Sequence, residues 1–192
     1  MPIIERTPEA CFKRFAAHIR DLVAKTLTRR HPMALYQKGE RLMGFSFRER
    51  EPVAVPIESR LGRLHLYLGQ LLEAVPEGKA FRLRTRRYWY RVQAAPELTA
   101  QALIRWEYDT DTPRDGHARH HVQLPAYLAA GSGQLDLDKV HLPTGWVTIE
   151  EVLRFVIVEL GVKPPCGSGW PDVLADSERA FFEEFTGKRH KR

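Results

Sequence analysis

The sequence contains little sulfur and no long apolar run. Only two cysteines, Cys11 and Cys166, occur among 192 residues, and their separation fits no metal-binding or redox spacing. We expect free thiols in a reducing cytoplasm. The absence of a run of about 18 apolar residues argues against a membrane-spanning helix, and residues 1–7 lack the apolar core of a signal peptide. These absences predict a cytoplasmic protein with no membrane partner.

The composition is that of a globular chain with a basic surface. Hydrophobic residues make up 43% and charged residues 28% of the sequence, and a chain of this length normally forms one domain with a real core. Lys and Arg number 30 against 24 Asp and Glu, which gives a formal net charge of +6. A basic surface favours phosphate-rich partners, so RNA or another nucleic acid is the expected partner.

The first half of the chain shows helical periodicity in two places. Thr7 and Pro8 are typical of a helix start, and the apolar spacing that follows predicts a helix over 8–28. Residues 33–47 have the pattern of a β-hairpin. The strictest periodicity then follows, with apolar residues at alternating steps of four and three, and predicts a core helix over 57–75: Ile57, Leu61, Leu64, Leu68, Leu71 and Val75.

The second half changes to the two-residue period of strands. Apolar alternation predicts strands over 80–84, 87–93 and 102–108, with short connections that favour an antiparallel meander. Shorter strand segments are predicted over 120–124 and 135–142. Thr148 and Glu151 have the spacing of a capping box, which predicts a helix ending near Gly161. Aromatic residues around Trp170 and Phe181 predict a last helix.

These elements together predict one α+β domain. A central antiparallel sheet is flanked by three to four helices. The helix over 57–75 and the helix that starts at Thr148 cover the sheet, and the 8–28 helix packs outside these layers. We divide the chain into an N-terminal helix (1–30), an α+β core (31–162) and a C-terminal helical extension with a basic tail (163–192).

Half of the eight histidines lie close together, at His117, His120, His121 and His141. Histidine titrates near neutrality, so such a cluster can supply both a general base and a general acid. Cleavage of RNA without a metal needs these two groups and a cation for the phosphate. The predicted catalytic residues are therefore these four histidines with Arg105 and Lys139, and Arg119 is a further candidate cation.

Strand geometry limits which histidines act together. Neighbouring residues of an extended segment point to opposite faces, so His120 and His121 cannot both join one site. His121 and His141 lie on separate segments and can face each other across a cleft. Two alternatives stay open for the cluster: histidines that only pack, and a metal site. In the metal alternative, zinc is held by His117, His120 and His121, completed by an aspartate from Asp109, Asp111 or Asp115. The preferred interpretation uses no metal.

A second group of residues suits single-stranded nucleic acid. Guanidinium groups pair with phosphates and aromatic rings stack on bases. Alternation places Arg87, Trp89 and Arg91 on one face and Tyr88 and Tyr90 on the other, so only some of the rings can be ligands. The alternative is an arginine-rich solvent face. The predicted nucleic-acid-binding residues are Arg82, Arg84, Arg86, Arg87, Trp89, Arg91 and Arg119.

The order of these motifs over about 64–162 resembles the TumE-like toxins of bacterial toxin–antitoxin systems. The shared order is an Arg- and Tyr-rich strand pair (82–91), a strand that ends in Arg105-Trp106-Glu107, a histidine-rich loop and a C-terminal helix. The resemblance implies an RNA-directed toxic activity that a protein partner, an antitoxin, holds in check.

The preferred function at this stage is thus a bacterial, toxin-type, metal-independent ribonuclease. The alternatives are a non-catalytic module that binds nucleic acid or protein, and a metal-dependent hydrolase with histidine ligands.

Overall fold

The computed structural model describes residues 5–48, 51–111, 118–130 and 133–181. A helix comes first, then six strands that include the two longest, then four short strands and the last two helices. In chain order the elements are α1 (Pro8–Thr26), β1 (Met33–Gly39), β2 (Leu42–Phe47), β3 (Val55–Ser59), β4 (Gly62–Glu77), β5 (Ala80–Gln93), β6 (Ala102–Asp109), β7 (His120–Gln123), β8 (Tyr127–Ala130), β9 (Gly133–Asp136), β10 (Leu142–Pro143), α2 (Ile149–Val158) and α3 (Trp170–Ala180).

One antiparallel sheet organises the described residues. Its strand order is β1-β2-β4-β5-β6-β7-β10, and β3 pairs with β4 beside β2. Strands β8 and β9 form a separate two-stranded sheet. Every strand pairing is antiparallel, and the short connections β1–β2, β3–β4 and β4–β5 allow no crossover. The predicted α+β class with an antiparallel sheet is confirmed.

The predicted core helix over 57–75 is wrong. These residues form β3 and β4, joined by a tight turn in which Gly62 has a φ of 95°, a conformation that favours glycine. On β4 the residues at every second position from Leu64 to Ala74 face the core. Tyr67 and Gly69, on its other face, are also buried. Because β4 carries apolar residues on both faces, its sequence also fits a helical period by chance. Its pairing with β2, β3 and β5 shows that the segment is a strand.

Three smaller predictions also need correction. The predicted break between the strands 80–84 and 87–93 is a β-bulge at Arg86 within the single strand β5. The segment 135–142 is the end of β9, a 3₁₀ turn over Leu137–Lys139 and the short β10. Helix α1 does not lie outside the other layers, because its apolar stripe packs directly on the sheet: Phe12, Phe15, Ile19 and Val23.

The two faces of the sheet have different surroundings. Helices α1, α2 and α3 cover the face that carries Leu68, Tyr88, Tyr90 and Trp106, here called the helical face. The opposite face carries Tyr36, Tyr67, Trp89, Glu107 and His121, and α1, α2 and α3 do not cover it; we call it the open face. None of the helices within the described ranges has the length and apolar character needed to cross a membrane.

A buried carboxyl group joins the three helices. Glu150 on α2 is 1% exposed, and Oε1 accepts a hydrogen bond of 2.5 Å from the Ser177 hydroxyl on α3. Nε2 of His18 on α1 lies 2.9 Å from the same hydroxyl oxygen. Burial raises the pKa of Glu150, and the hydrogen bond from Ser177 offsets part of that rise. The native state therefore retains the proton at a pH where the unfolded chain has lost it.

The raised pKa predicts a pH-dependent stability at this residue. Its contribution is fully present below the ordinary value of 4.5 and is lost as pH rises through the higher native pKa. We expect Glu150→Gln, which carries no charge, to raise the thermal midpoint at pH 8 by a few degrees, since about 1 kcal/mol moves it by about 2–4 °C in a domain this size. Thermal unfolding from pH 4 to pH 8 measures this, with exposed Glu159→Gln as the matched control. A lower midpoint for Glu150→Gln at pH 8 contradicts the prediction.

Candidate functional site

The neighbouring histidines of β7 point to opposite faces of the sheet, as strand alternation predicts. On the helical face, the His120 ring stacks on Tyr108 with 4.2 Å between ring centroids. Nδ1 of His120 lies 3.2 Å from the Tyr88 hydroxyl, whose oxygen accepts the backbone N–H of Val147. The Tyr88 hydroxyl thus links His120 to the backbone of Val147, and the His120 tautomer sets which of the two side chains donates. Trp146 completes this aromatic cluster.

Two pKa shifts describe the chemistry of that cluster. Burial raises the pKa of Tyr88 to about 12, which keeps its hydroxyl protonated. Burial lowers the pKa of His120, and the charge of Arg119 and the neighbouring His121 add to the effect. The lowered pKa favours the neutral form of His120 inside the packed aromatic cluster, which is the arrangement of a stabilising residue.

His121 lies on the open face and meets His141 there. The two ring centroids are 4.5 Å apart, and the rings cross edge to face at 76°. Pairing of β7 with β10 produces this contact, because Leu142 lies opposite Val122 and Pro143 opposite His121. That register sets His141 opposite Gln123, two residues along β7 from His121, and therefore on the same face.

A hydrogen bond and a carboxylate orient the His121 ring. Nδ1 lies 3.0 Å from the carbonyl oxygen of Ala118, so Nδ1 carries the proton. Nε2 lies 3.7 Å from Oε2 of Glu107, and the His121 side chain is 12% exposed. Nε2 is buried and has no hydrogen-bond partner among the described residues. When His121 also carries a proton on Nε2, it forms an ion pair with Glu107.

Two arginines flank the histidine pair. Strand register sets Arg91 opposite Arg105 and Glu107 opposite His121. The Arg91 guanidinium lies 3.4 Å from Oε1 of Glu107, and the Arg105 guanidinium lies 3.3 Å from an oxygen of Asp138. We call these residues the open-face cluster: Arg91, Arg105, Glu107, His121 and His141.

The open-face cluster holds the groups that phosphodiester chemistry needs. The His141 imidazole can act as a general base or a general acid, and the His121 ring contacts it edge to face. Two guanidinium groups can stabilise the charge that develops on a phosphate. Because each arginine already has a carboxylate neighbour, a bound phosphate would share these cations with Glu107 and Asp138.

The structure leaves other predicted catalytic residues outside this cluster. The Lys139 side chain is 83% exposed and its amine lies 3.4 Å from a carboxylate oxygen of Asp136. His120 faces the helices, Arg119 is exposed, and His117 lies outside the described residues. Glu107 and Arg91 are the members that the catalytic prediction omitted. Only the register of β5, β6 and β7 places these two residues beside His121. A single sequence does not specify that register.

The predicted nucleic-acid-binding arginines of β5 are largely engaged by carboxylates. Asp111 contacts both Arg86 and Arg87, and Glu73 contacts both Arg84 and Arg86. The hydrogen bonds from these arginines lower the pKa of Glu73 and of Asp111, so both carboxylates stay charged. Further pairs join Arg82 to Glu77, Arg87 to Asp109 and Arg91 to Glu107. Phosphates would have to compete with these internal partners.

The zinc alternative meets a geometric limit. His120 and His121 lie on opposite faces of the sheet, so the two cannot ligate one ion. In the part of the chain that the structure describes, no group of three His, Cys, Asp or Glu side chains has the geometry to hold a metal ion. His117 and Asp115 lie outside those residues.

Comparison with known proteins adds no family to this description. No protein-family model matches the chain, and searches of the curated proteins and of the solved structures found no match.

Proposed function

We propose that this protein is a metal-independent ribonuclease whose active site is the open-face cluster. The observation that carries the proposal is the edge-to-face contact of His121 and His141, 4.5 Å apart, beside two arginines. In the proposed reaction His141 takes the proton of a ribose 2′-hydroxyl, whose oxygen attacks the phosphorus as the bond to the 5′-oxygen breaks. The departing 5′-oxygen takes a proton from water, and His141 then returns its own proton to the solvent. The products are a 2′,3′-cyclic phosphate and a 5′-hydroxyl, so atoms and charge balance without an oxidant or a metal.

The roles follow from the surroundings of each side chain. His141 is the member of the pair that meets the substrate directly, because Nε2 of His121 is buried. Glu107 and the Ala118 carbonyl fix the orientation of the His121 ring. Arg91 and Arg105 face the phosphate. The half-buried Trp89, which shares the open face, offers a ring for base stacking.

The wider setting is part of the same proposal. The net charge of +6 favours an RNA substrate, and the resemblance over 64–162 to TumE-like toxins suggests a bacterial cytoplasmic toxin with an antitoxin partner. An antitoxin that covered the open face would block the cluster, since α1, α2 and α3 all pack on the other face.

A non-catalytic nucleic-acid-binding module is the second candidate. One observation favours it: the His121 side chain is only 12% exposed, which suits a packing residue as well as a positioning one. In that case the protein binds RNA and leaves it intact.

Cleavage of single-stranded RNA in EDTA tests the first proposal. The full chain is expected to cut the RNA to products with cyclic phosphate ends and to leave DNA of the same sequence intact, because DNA lacks the 2′-hydroxyl. Gel analysis with phosphatase and acid treatment of the ends identifies the chemistry. Binding without any cleavage supports the second candidate and overturns the first, and failure to bind RNA overturns both.

A further inference from the structure

A groove of about 790 Å³ lies away from the open-face cluster. Three segments that are distant in sequence form its walls. They are the end of α1 with the following residues (27–31), the β3–β4 hairpin (56–63) and the residues after α2 (161–163). None of the residues of the open-face cluster lines it.

Backbone hydrogen bonds hold these walls in place. The N–H of Arg60, in the hairpin turn, donates to the carbonyl of Leu160 at the end of α2 with a distance of 2.8 Å. The N–H of Cys166 donates to the carbonyl of Lys25 on α1 with a distance of 3.0 Å. The first bond ties the hairpin to the residue before 161–163, and the second ties α1 to a residue shortly after 161–163, so the groove is preformed and a ligand need not order it.

The rim of the groove is cationic. Arg30, Arg60, Arg63 and Lys163 line it together with one carboxylate, Glu58. Glu58 pairs with Arg63 at 2.8 Å. The other three cations are exposed, and the structure gives none of them an ion pair within the described ranges. In β5, by contrast, the arginines form ion pairs with carboxylates of the same protein.

The inner part of the groove is apolar. Leu27, Ile57 and Val162 are each at least nine-tenths buried and line it. The two hydroxyl groups that line the groove form hydrogen bonds with the backbone. The Ser59 hydroxyl donates to the carbonyl of Gly62, and the Thr28 hydroxyl accepts from the N–H of Arg30. A cationic rim suits a ligand with regularly spaced phosphates, and the apolar floor offers an uncharged surface on which its flat bases can pack.

We propose that this groove binds the phosphodiester backbone of a single-stranded nucleic acid, with Arg30, Arg60 and Lys163 as the phosphate contacts. The inference rests on the proposed function for the identity of the ligand, because the bound strand is the substrate of that reaction. The groove adds a second contact that supplies affinity away from the scissile bond. Free cations contribute more to such binding than the paired arginines of β5, because no internal ion pair has to break first.

A deoxyoligonucleotide tests the groove independently of cleavage. Fluorescence anisotropy with a labelled single strand of about 12 nucleotides, which has no 2′-hydroxyl to react, compares two triple variants of the full chain. The first is Arg30→Ala/Arg60→Ala/Lys163→Ala in the groove. The second is Lys13→Ala/Lys79→Ala/Arg179→Ala, which removes the same charge from exposed positions elsewhere. Thermal unfolding checks that both variants remain folded.

The groove variant is expected to lose affinity by about tenfold or more at low salt, and the control variant by much less. The slope of log affinity against log salt should fall by about 2 in the groove variant, since each single-strand phosphate contact contributes about 0.7. Equal losses in the two variants, or a wild-type chain that does not bind, overturn the proposal. Groove-dependent binding without any RNA cleavage supports the groove and overturns the catalytic proposal, so the two fail separately.

Discussion

Replacing His141 by alanine is expected to lower the rate of RNA cleavage by about 10²- to 10⁴-fold, the usual contribution of a general acid or base. The reason is geometric: His141 is the imidazole of the open-face pair that can reach the substrate, and His121, 4.5 Å away, cannot replace it because its Nε2 is buried. Single-turnover rates at saturating RNA in EDTA measure the effect apart from binding.

His120 provides the matched control for His141. It is adjacent to His121 in sequence, but it lies on the helical face, stacked on Tyr108 and hydrogen-bonded to Tyr88. His120→Ala is expected to reduce the free energy of unfolding by about 1–2 kcal/mol and to leave the cleavage rate of the folded protein unchanged. If His120→Ala abolishes cleavage in folded protein, or His141→Ala leaves the rate intact, the assignment of the active site to the open face is wrong.

Replacing Leu68 by alanine is expected to cost about 2–5 kcal/mol of unfolding free energy. Leu68 is on the helical face of β4 and fully buried, so the substitution leaves a cavity between the sheet and the helices. Urea denaturation followed by circular dichroism measures the change.

Leu61 is the matched control for Leu68. The two residues share one stripe of the apolar pattern that predicts a helix over 57–75, and in a helix both would be buried. In the structure Leu61 lies in the β3–β4 turn and is 67% exposed, so Leu61→Ala should change the unfolding free energy by no more than about 0.5 kcal/mol. Equal, large losses at both positions would contradict the hairpin.

Capping residues and short-range apolar patterns in the sequence are enough to predict α1, α2 and β6. Thr7 caps α1 through a hydrogen bond to the N–H of Ala10, as its position before Pro8 predicts. Thr148 and Glu151 form the predicted capping box of α2. The alternation of Trp106 and its neighbours predicted the buried face of β6. In each case residues within four positions of each other decide the outcome, and a single sequence contains them all.

For the candidate site too, local patterns predict one part and strand pairing decides the rest. Alternation along β7 separates His120 from His121, and this holds for any extended segment. The contact between His121 and His141 depends on the pairing of β7 with β10, and the place of Arg91 and Glu107 depends on the register of β5, β6 and β7. The carboxylates that form ion pairs with the β5 arginines come from β4, from β6 and from the residues after β6. The sequence of β5 alone does not show these pairs, so it predicts arginines that are available to phosphate.

By itself, then, the sequence determined the caps, the alternation along β6 and β7 and the excess of positive charge. Only the tertiary structure decided that 57–75 is a hairpin, because strand pairing satisfies its backbone and both of its faces carry buried residues. Only the tertiary structure brought Arg30, Arg60 and Lys163 to one groove. Long-range pairing sets these positions, and the free energy of such pairing depends on partners that no local pattern specifies.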